Sequence, residues 1–416
     1  MNKILLSSLL AGLSFFSHSQ NLEDHRLSDG RINDYTIVED ALNTRFPGYM
    51  DQANQLYDQV TNAINNQATR SSNQKLTINV VVHVVWKQSA ENISDFFIDE
   101  QIRILNEAFQ RQNADTTNMR SVFQPIAGNP NIEFVLAGTE RVQTTTDFNA
   151  DFFGGTLYDD IKSYSSGGSS PWDPSSFLNI WVGRLQGDFL LGYAYPPNGA
   201  PGWQGNPPVT ADVDGVVIDY RAFGPFGNFQ GNPIQGMTTV HEVGHYLGLR
   251  HIWGDGDCTA DDNVNDTPIA AEESAFDCDK NKNSCNQGAG DLPDMVENYM
   301  DYSQESCQNS FTQGQADLMR LIINDFRPGL LTPSTAGIEK NELEGVKIFP
   351  NPATDIVTIS LTNQSDFQYL EVLDLTGKKV YDTQSLTVNL SSFQKGTYLL
   401  NIFTKEGVAT EKLIIN

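Results

Sequence analysis

The sequence predicts an α/β domain, in which helices pack on a twisted mixed sheet above a loop-rich lower half, followed by a small all-β sandwich. Three observations carry that expectation. Residues 76–86 (Leu-Thr-Ile-Asn-Val-Val-Val-His-Val-Val-Trp) are β-branched and apolar enough for a central strand, and a segment of helical period follows them. All four cysteines fall between Cys258 and Cys307, in a stretch with little apolar periodicity. After a run rich in Pro, Gly, Ser and Thr, the chain from position 345 turns to short strands separated by turn residues.

The elements follow in order. Lys3, the apolar run Ile4 to Phe16 and the small residues Ser17 and Ser19 read as a secretory signal over 1–19, cut near Ser19 or Gln20. That run is too short to span a bilayer and no later stretch is suited to do so, so no transmembrane segment is expected. With no cysteine directly after the run, a lipid anchor is not expected either. Residues 20–70 are polar, with a modest helical stretch from Tyr49 to Ile64, and end at Ala68-Thr69-Arg70-Ser71-Ser72. This reads as a pro-segment with an exposed basic site for nicking.

The main domain is placed at 71–327. Leu76–Trp86 is its central strand, and Ser94 or Asp95 caps a helix with Ile98, Ile102, Leu105 and Phe109 on one face. Further strands are expected at Ile132–Ala137, Leu178–Leu185 and Gly215–Tyr220, with an edge strand near Leu190–Ala194. A helix should run from about Pro233 to Leu247, and a last one from Thr312 to Phe326. Residues 328–344 read as a linker. In the sandwich, 345–416, strands fit Val346–Phe349, Ile356–Leu361, Leu370–Asp374, Lys379–Tyr381, Leu386–Asn389, Gly396–Phe403 and Ala409–Ile415.

Composition narrows the chemistry. A net charge of −26 over 416 residues argues against nucleic acid as a partner, because phosphate binding needs basic patches. Four cysteines in an exported chain imply two disulfides, and three pairings are open from sequence alone. No Cys-x-x-Cys pair is present to favour a cysteine metal site. Asp255, Asp257, Asp261, Asp262 and Asp266, with Asn265 and Thr267 among them, suggest ligation of a hard cation, most plausibly calcium.

Residues 241–251, His-Glu-Val-Gly-His-Tyr-Leu-Gly-Leu-Arg-His, are the most informative run. His241 and His245, four apart on a helix, project from one face and can reach one metal ion. Gly248 can take the positive φ that ends a helix, which lets His251 swing back as a third nitrogen ligand. Three imidazoles on zinc leave a position open, as catalytic sites do and structural sites do not. Glu242 lies beside such a metal without being a ligand, and suits a general base. Downstream, Met300 supplies the methionine turn expected after such a helix, a hydrophobic floor beneath the metal.

On these residues the chain resembles the pappalysin family of metzincin metallopeptidases, over about Leu76 to Phe326. Leu-Asn-Glu-Ala-Phe (105–109), Leu-Asn-Ile-Trp-Val (178–182), Leu-Gly-Tyr-Ala (191–194), Asp-Thr-Pro (266–268) and Asn-Tyr-Met-Asp-Tyr (298–302) add to the likeness. The resemblance implies a metzincin-like catalytic domain with zinc at His241, His245 and His251, and calcium near Asp262, Asn265 and Thr267. It also implies interleaved disulfides, Cys258–Cys285 and Cys278–Cys307. The tail resembles the C-terminal sorting domain of the type IX secretion system, through Ile348-Phe349-Pro350-Asn351-Pro352-Ala353, Asp374-Leu375-Thr376-Gly377-Lys378, Gly396-Thr397-Tyr398 and Lys412-Leu413-Ile414-Ile415-Asn416. That implies the type IX secretion machinery as partner and an extracellular or cell-surface destination. Relatives often hold the zinc latent with a pro-segment cysteine. This chain has none before Cys258, and Asp29, ahead of Gly30, is the candidate substitute.

The expected activity is that of a secreted zinc endopeptidase acting on proteins or peptides. Glu242 serves as base and then acid, Tyr302 as a donor to the developing oxyanion, and Glu305 as an acid in the pocket beyond the scissile bond, favouring Arg or Lys at P1′. Peptide substrate is expected to add to the edge strand. The rival is a non-catalytic surface or adhesion protein on a protease scaffold. The intact Glu242 weighs against it.

Overall fold

The computed structural model describes residues 26–27, 31–66, 74–150, 157–185, 190–197, 210–229, 231–331, 347–361, 367–373, 379–404 and 407–415. The expected signal peptide, Asp29, Arg70 and Asp374–Lys378 lie outside them. The chain divides into two compact units, Met1–Thr332 and Pro333–Asn416.

The first unit opens with α1 (Asp34–Arg45) and α2 (Tyr49–Asn66), followed by β1 (Leu76–Trp86), α3 (Asp95–Phe109), β2 (Ile132–Gln143), β3 (Leu178–Gly183), β4 (Gly192–Ala194) and β5 (Val216–Asp219). A hairpin of β6 (Pro225–Phe229) and β7 (Asn232–Gln235) leads into α4 (Met237–Tyr246), and α5 (Gln313–Asp325) closes the unit. The five strands β1–β5 form one sheet in the order β2-β1-β3-β5-β4. Parallel pairing joins β2 to β1, β1 to β3 and β3 to β5, while β4 runs antiparallel at the edge, so the sheet is mixed. The α3 crossover is what a parallel β1–β2 pair requires.

β1 is buried on both faces, which explains its nearly unbroken apolar run. On one face Ile78, Val80, Val82 and Val84 join Leu105 and Phe109 of α3 and Val240 and Val243 of α4 in the main core. On the other, Val85, Trp181, Tyr193 and Val217 join Ile37, Val38, Leu42 and Tyr49 in a second core. The N-terminal helices therefore complete the back of the sheet.

Several boundaries differ from the sequence expectation. β2 continues to Gln143 because it pairs along the whole of β1, past a register irregularity at Val80/Val81. Its second half is partly exposed and polar, so the apolar pattern ends before the strand does. The helix expected from Pro233 begins at Met237, since Pro233 lies in β7 and Gly236 turns the chain with φ +85°. α1 has no counterpart in the sequence expectation. Residues 328–331, expected to start the linker, form a 3-10 turn with Leu330 buried, next to an Arg327–Asp214 ion pair of 2.6 Å.

Between α4 and α5 no helix or strand forms, and this is the loop-rich half. Interleaved disulfides, Cys258–Cys285 and Cys278–Cys307, staple it. Buried polar contacts hold it further. Arg120 pairs with Glu297 at 2.7 Å, and the Asn298 amide donates to Gln315 Oε1 at 2.8 Å. Gln315 also completes a capping box with Thr312 at the start of α5.

The second unit holds β8 (Lys347–Phe349), β9 (Ile356–Ser360), β10 (Phe367–Leu373), β11 (Lys379–Thr383), β12 (Thr387–Asn389), β13 (Gly396–Thr404) and β14 (Gly407–Ile415). They form antiparallel sheets β11-β10-β13-β14 and β12-β9-β8. Val357, Ile359 and Val388 of one sheet meet Leu370, Val372, Leu400, Ile402 and Leu413 of the other in a single core, a small sandwich.

Candidate metal centre and catalytic cleft

α4 sets His241 and His245 one turn apart, both buried. The helix ends at once: Leu247 is its C-cap, and Gly248 follows with φ +93°. A Cβ on Gly248 would lie 2.9 Å from Ile322, so both conformation and space call for glycine. The chain then returns with His251 facing the other two rings. The three Nε2 atoms lie 3.0 Å (His241–His245), 3.2 Å (His241–His251) and 3.3 Å (His245–His251) apart.

Each ring is held by its other nitrogen. His241 Nδ1 donates to Tyr299 O at 2.7 Å, His245 Nδ1 to Leu249 O at 2.8 Å, and His251 Nδ1 to Asp255 Oδ1 at 2.7 Å. Because these partners are acceptors, the protons sit on Nδ1 and three Nε2 lone pairs converge on one point. Lone pairs so placed repel unless a cation lies between them, so the donor set fits a metal ion, and imidazole nitrogen suits zinc. Trp253 stacks on His251 with centroids 4.2 Å apart.

A fourth donor is present that sequence reasoning missed. Asp34 Oδ1 lies 3.2 Å from His251 Nε2 and 3.4 Å from His245 Nε2, and Oδ2 lies 3.8 Å from His241 Nε2. Asp34, His241, His245 and His251 thus form a buried cluster of potential metal ligands. The available signal was Asn33 as a helix N-cap ahead of Ile37, Val38, Ala41 and Leu42, which would have started α1 at Asp34. Asn33 Oδ1 does accept from Thr36 N at 3.0 Å, while its amide donates to Asp255 Oδ1 at 2.7 Å.

Glu242 points into the same cleft, and neither of its buried carboxylate oxygens has a hydrogen-bond partner. Burial, with the Asp34 charge adding to it, pushes its pKa well above the usual carboxylate range. The edge strand β4 passes close by: a Cβ on Gly192 would lie 2.9 Å from Glu242 Cγ, so glycine is what admits the strand. Met300 packs under α4, where a Cβ on Gly244 would stand 2.5 Å from its Sδ. Tyr302 lies with its ring 4.8 Å from His251, and its hydroxyl accepts from Asp34 N at 3.1 Å.

Glu305 lines the cleft with Met237, Thr238, His241 and Glu242, but its carboxylate is engaged. It accepts from Gln235 N, from Met237 N at 3.2 Å, and from Thr238 N and Oγ1 at 3.0 and 2.7 Å. It therefore caps α4, which has no side-chain cap of its own. In the acidic loop, Asp262 is buried, with Oδ1 on Val264 N and Thr267 Oγ1 and Oδ2 without a partner. Asn265 lines a cavity with Asp266, Gln313 and Asp317.

Comparison with known proteins agrees with this geometry. The sequence model of the pregnancy-associated plasma protein-A peptidase family matches residues 169–324, and that of the secretion system C-terminal sorting domain matches 347–416. An extracellular metalloprotease of Arthroderma benhamiae is 31% identical over 280 residues, 67% of this chain and 82% of its own. One from Pyricularia oryzae is 31% identical over 261 residues, covering 61% and 77%. Mature mirolysin of Tannerella forsythia, solved with a cleaved peptide, is 39% identical, covers 64% of this chain and 97% of its own, and superposes with a TM-score of 0.55. A mutant promirolysin from the same organism is 34% identical, covers 72% and 96%, and has a TM-score of 0.59. The sorting tail marks the chain for type IX export to the cell exterior. With its three-histidine cluster on and just after α4, the chain belongs to the pappalysin family of metzincin metallopeptidases and is a secreted metalloprotease.

Proposed function

We propose that the protein is a zinc endopeptidase in which His241, His245 and His251 hold the metal and Glu242 is the general base. The observation that carries this is the convergence of three Nε2 lone pairs beside a buried carboxylate with both oxygens unpartnered. A zinc ion there supplies Lewis acidity, which makes water acidic near neutral pH and polarises a peptide carbonyl. Glu242, as the carboxylate, takes the proton of the attacking water and delivers it to the leaving amine. The free edge of β4 pairs with an extended peptide and sets the scissile bond beside Glu242. The cleaved peptide bound by mature mirolysin supports a peptide in such a cleft. Once the N-terminal segment is gone, the Tyr302 hydroxyl is released from Asp34 N and donates to the oxyanion. Met300 keeps the histidine side of α4 rigid and dry.

Calcium is proposed at Asp262 and Thr267. Thr267 Oγ1 lies 2.7 Å from Asp262 Oδ1 and 2.6 Å from Val264 O, yet has one proton to give. An oxygen cluster short of protons suits a hard cation, and the unpartnered Asp262 Oδ2 adds to it.

Elemental analysis and casein hydrolysis by the processed protein test both readings. Zinc at one per chain, activity lost to a chelator, and retained zinc with activity down by about 10³-fold or more in Glu242→Ala are expected. In the same assay Tyr302→Phe should lower kcat more than it raises KM. Full hydrolysis by Glu242→Ala would remove the mechanism, and a metal-free, inert protein would favour the scaffold alternative. Absence of calcium would remove the second site.

A further inference from the structure

A peptide that pairs with β4 is aligned only as well as β4 itself, and three residues of strand are little to hold it. We propose that Asp159, balanced by Lys162, is the positioning residue of the cleft. It fixes β4 from behind through the hydroxyls of Tyr193 and Tyr195, so that a paired peptide meets Glu242 in register. This rests on the edge-strand reading above and names what sets that strand.

β4 ends the sheet and is paired to β5 through Gly192↔Ile218, Tyr193↔Val217 and Ala194↔Val216. Alternation divides its side chains between the two faces. Gly192 and Ala194 face α4, where a Cβ on Gly192 would lie 2.9 Å from Glu242 Cγ and Ala194 shares a core with Val240 and Val243. Tyr193 and Tyr195 turn to the back of the sheet, and both are buried. The front leaves no room for an anchor, so what fixes the strand must grip the two tyrosines.

Both tyrosines end on one carboxylate. Tyr193 Oη donates to Asp159 Oδ1 at 3.2 Å, and Tyr195 Oη donates to Oδ2 at 2.6 Å. A 3-10 turn, Asp159–Lys162, sets its first and last side chains on one side, and Lys162 Nζ lies 3.0 Å from Asp159 Oδ1. Lys162 Nζ also donates to Val213 O at 2.7 Å, in the chain between β4 and β5. The ammonium stands 4.4 Å from the Tyr195 ring, 4.9 Å from the Tyr193 ring and 5.4 Å from the Trp181 ring. Burial, and the Asp159 charge after it, push both tyrosine pKa values well above the usual phenol range, so both hydroxyls stay donors.

A buried ammonium needs its counter-charge in place, and losing either partner leaves the other uncompensated. The cluster therefore holds one arrangement and passes it to β4. A displacement of about 1 Å at a bound peptide is enough to cost on the order of 10²-fold in rate. Every member of the cluster follows β1 in the chain, so cutting ahead of β1 leaves it in the processed enzyme.

The test compares the processed protein and its variants on two peptides, a long one that can pair along the whole of β4 and a short one that reaches little beyond the scissile bond. Tyr193→Phe/Tyr195→Phe removes both donors and keeps the ion pair, while Asp159→Asn removes the charge. Each should lower kcat/KM for the long peptide on the order of tenfold, chiefly through KM, and leave the short peptide within about twofold. Amide hydrogen exchange over residues 190–197 should quicken by a similar factor while α4 keeps its protection. Arg320→Gln is the control, because it frees Pro130 O and Gln74 O beside β1 and β2, away from β4. It should lower the melting temperature and leave the ratio between the two peptides unchanged. If Asp159→Asn does not fold, the tyrosine pair decides the matter. A peptide ratio, or an exchange rate over 190–197, that stays at the parent's value in the folded variants overturns the proposal. A parent that cleaves both peptides equally well overturns the edge-strand reading and the proposal with it. A parent that cleaves neither overturns the endopeptidase reading and, with it, the role of Asp159.

Discussion

Glu39 shows how sharply the docked N-terminal segment depends on single side chains. It is buried beside Arg250, Tyr35 and Asp255, and burial pushes its pKa up to about 7 although the Arg250 guanidinium opposes the shift. A carboxyl whose folded pKa is raised contributes stability below its unfolded value and loses it as pH rises toward the folded one. The full chain should therefore lose melting temperature between about pH 4.5 and 7, and Glu39→Gln should flatten that part of the profile. Calorimetry at several pH values on the Glu242→Ala protein checks it; an unchanged slope in Glu39→Gln would assign the loss elsewhere. At this scale the sequence spoke clearly wherever spacing sets geometry. His241, Glu242, His245, Gly248 and His251 lie within eleven residues, and helical period alone brings them together. Asp34 and Asp255 were not legible in the same way. Asp34 reaches the histidines through the packing of α1, and Asp255 turns onto His251 through a left-handed φ of +55°, neither of which leaves a periodic trace.

At the scale of elements, the same division holds. β1, α3, β3 and α5 were legible because their apolar residues repeat with the period of the element, and the sandwich strands because turn residues separate them. The β6–β7 hairpin was not, since Gly224-Pro225-Phe226-Gly227-Asn228 reads as turn chemistry. α4 depends on a residue far from it in sequence. Glu305 accepts four hydrogen bonds, one from Gln235 of β7 and three from Met237 and Thr238 in the first turn of α4, about all that a carboxylate takes. A preference for Arg or Lys at P1′ would then rest on its residual charge and not on a direct fork. Glu305→Ala leaves buried N–H groups without an acceptor and should cost about 1–3 kcal/mol of stability. Glu305→Gln should cost less while removing the charge. A peptide-library profile of Glu305→Gln that keeps any basic preference of the parent would make Glu305 purely a helix cap.

For the whole molecule, the division into two compact units separates the protease from its export tail, and the change from mixed sheet to antiparallel sandwich announced it in the sequence. What composition did not announce is that residues before β1 belong to the first unit's interior. A polar, Asn- and Gln-rich segment reads as a detachable leader, yet Ile37, Val38, Leu42 and Tyr49 share a core with Val85, Trp181 and Val217. The processed protein should accordingly bind more of a hydrophobic dye, and melt lower, than the Glu242→Ala full chain; equal dye binding would mean the sheet's back is covered again. This gives maturation a cost that cleavage chemistry alone does not contain. Val85, Trp181 and Val217 are dry in the full chain, and a processed enzyme without that segment would expose them to water. One set of side chains would then answer to two solvents in succession.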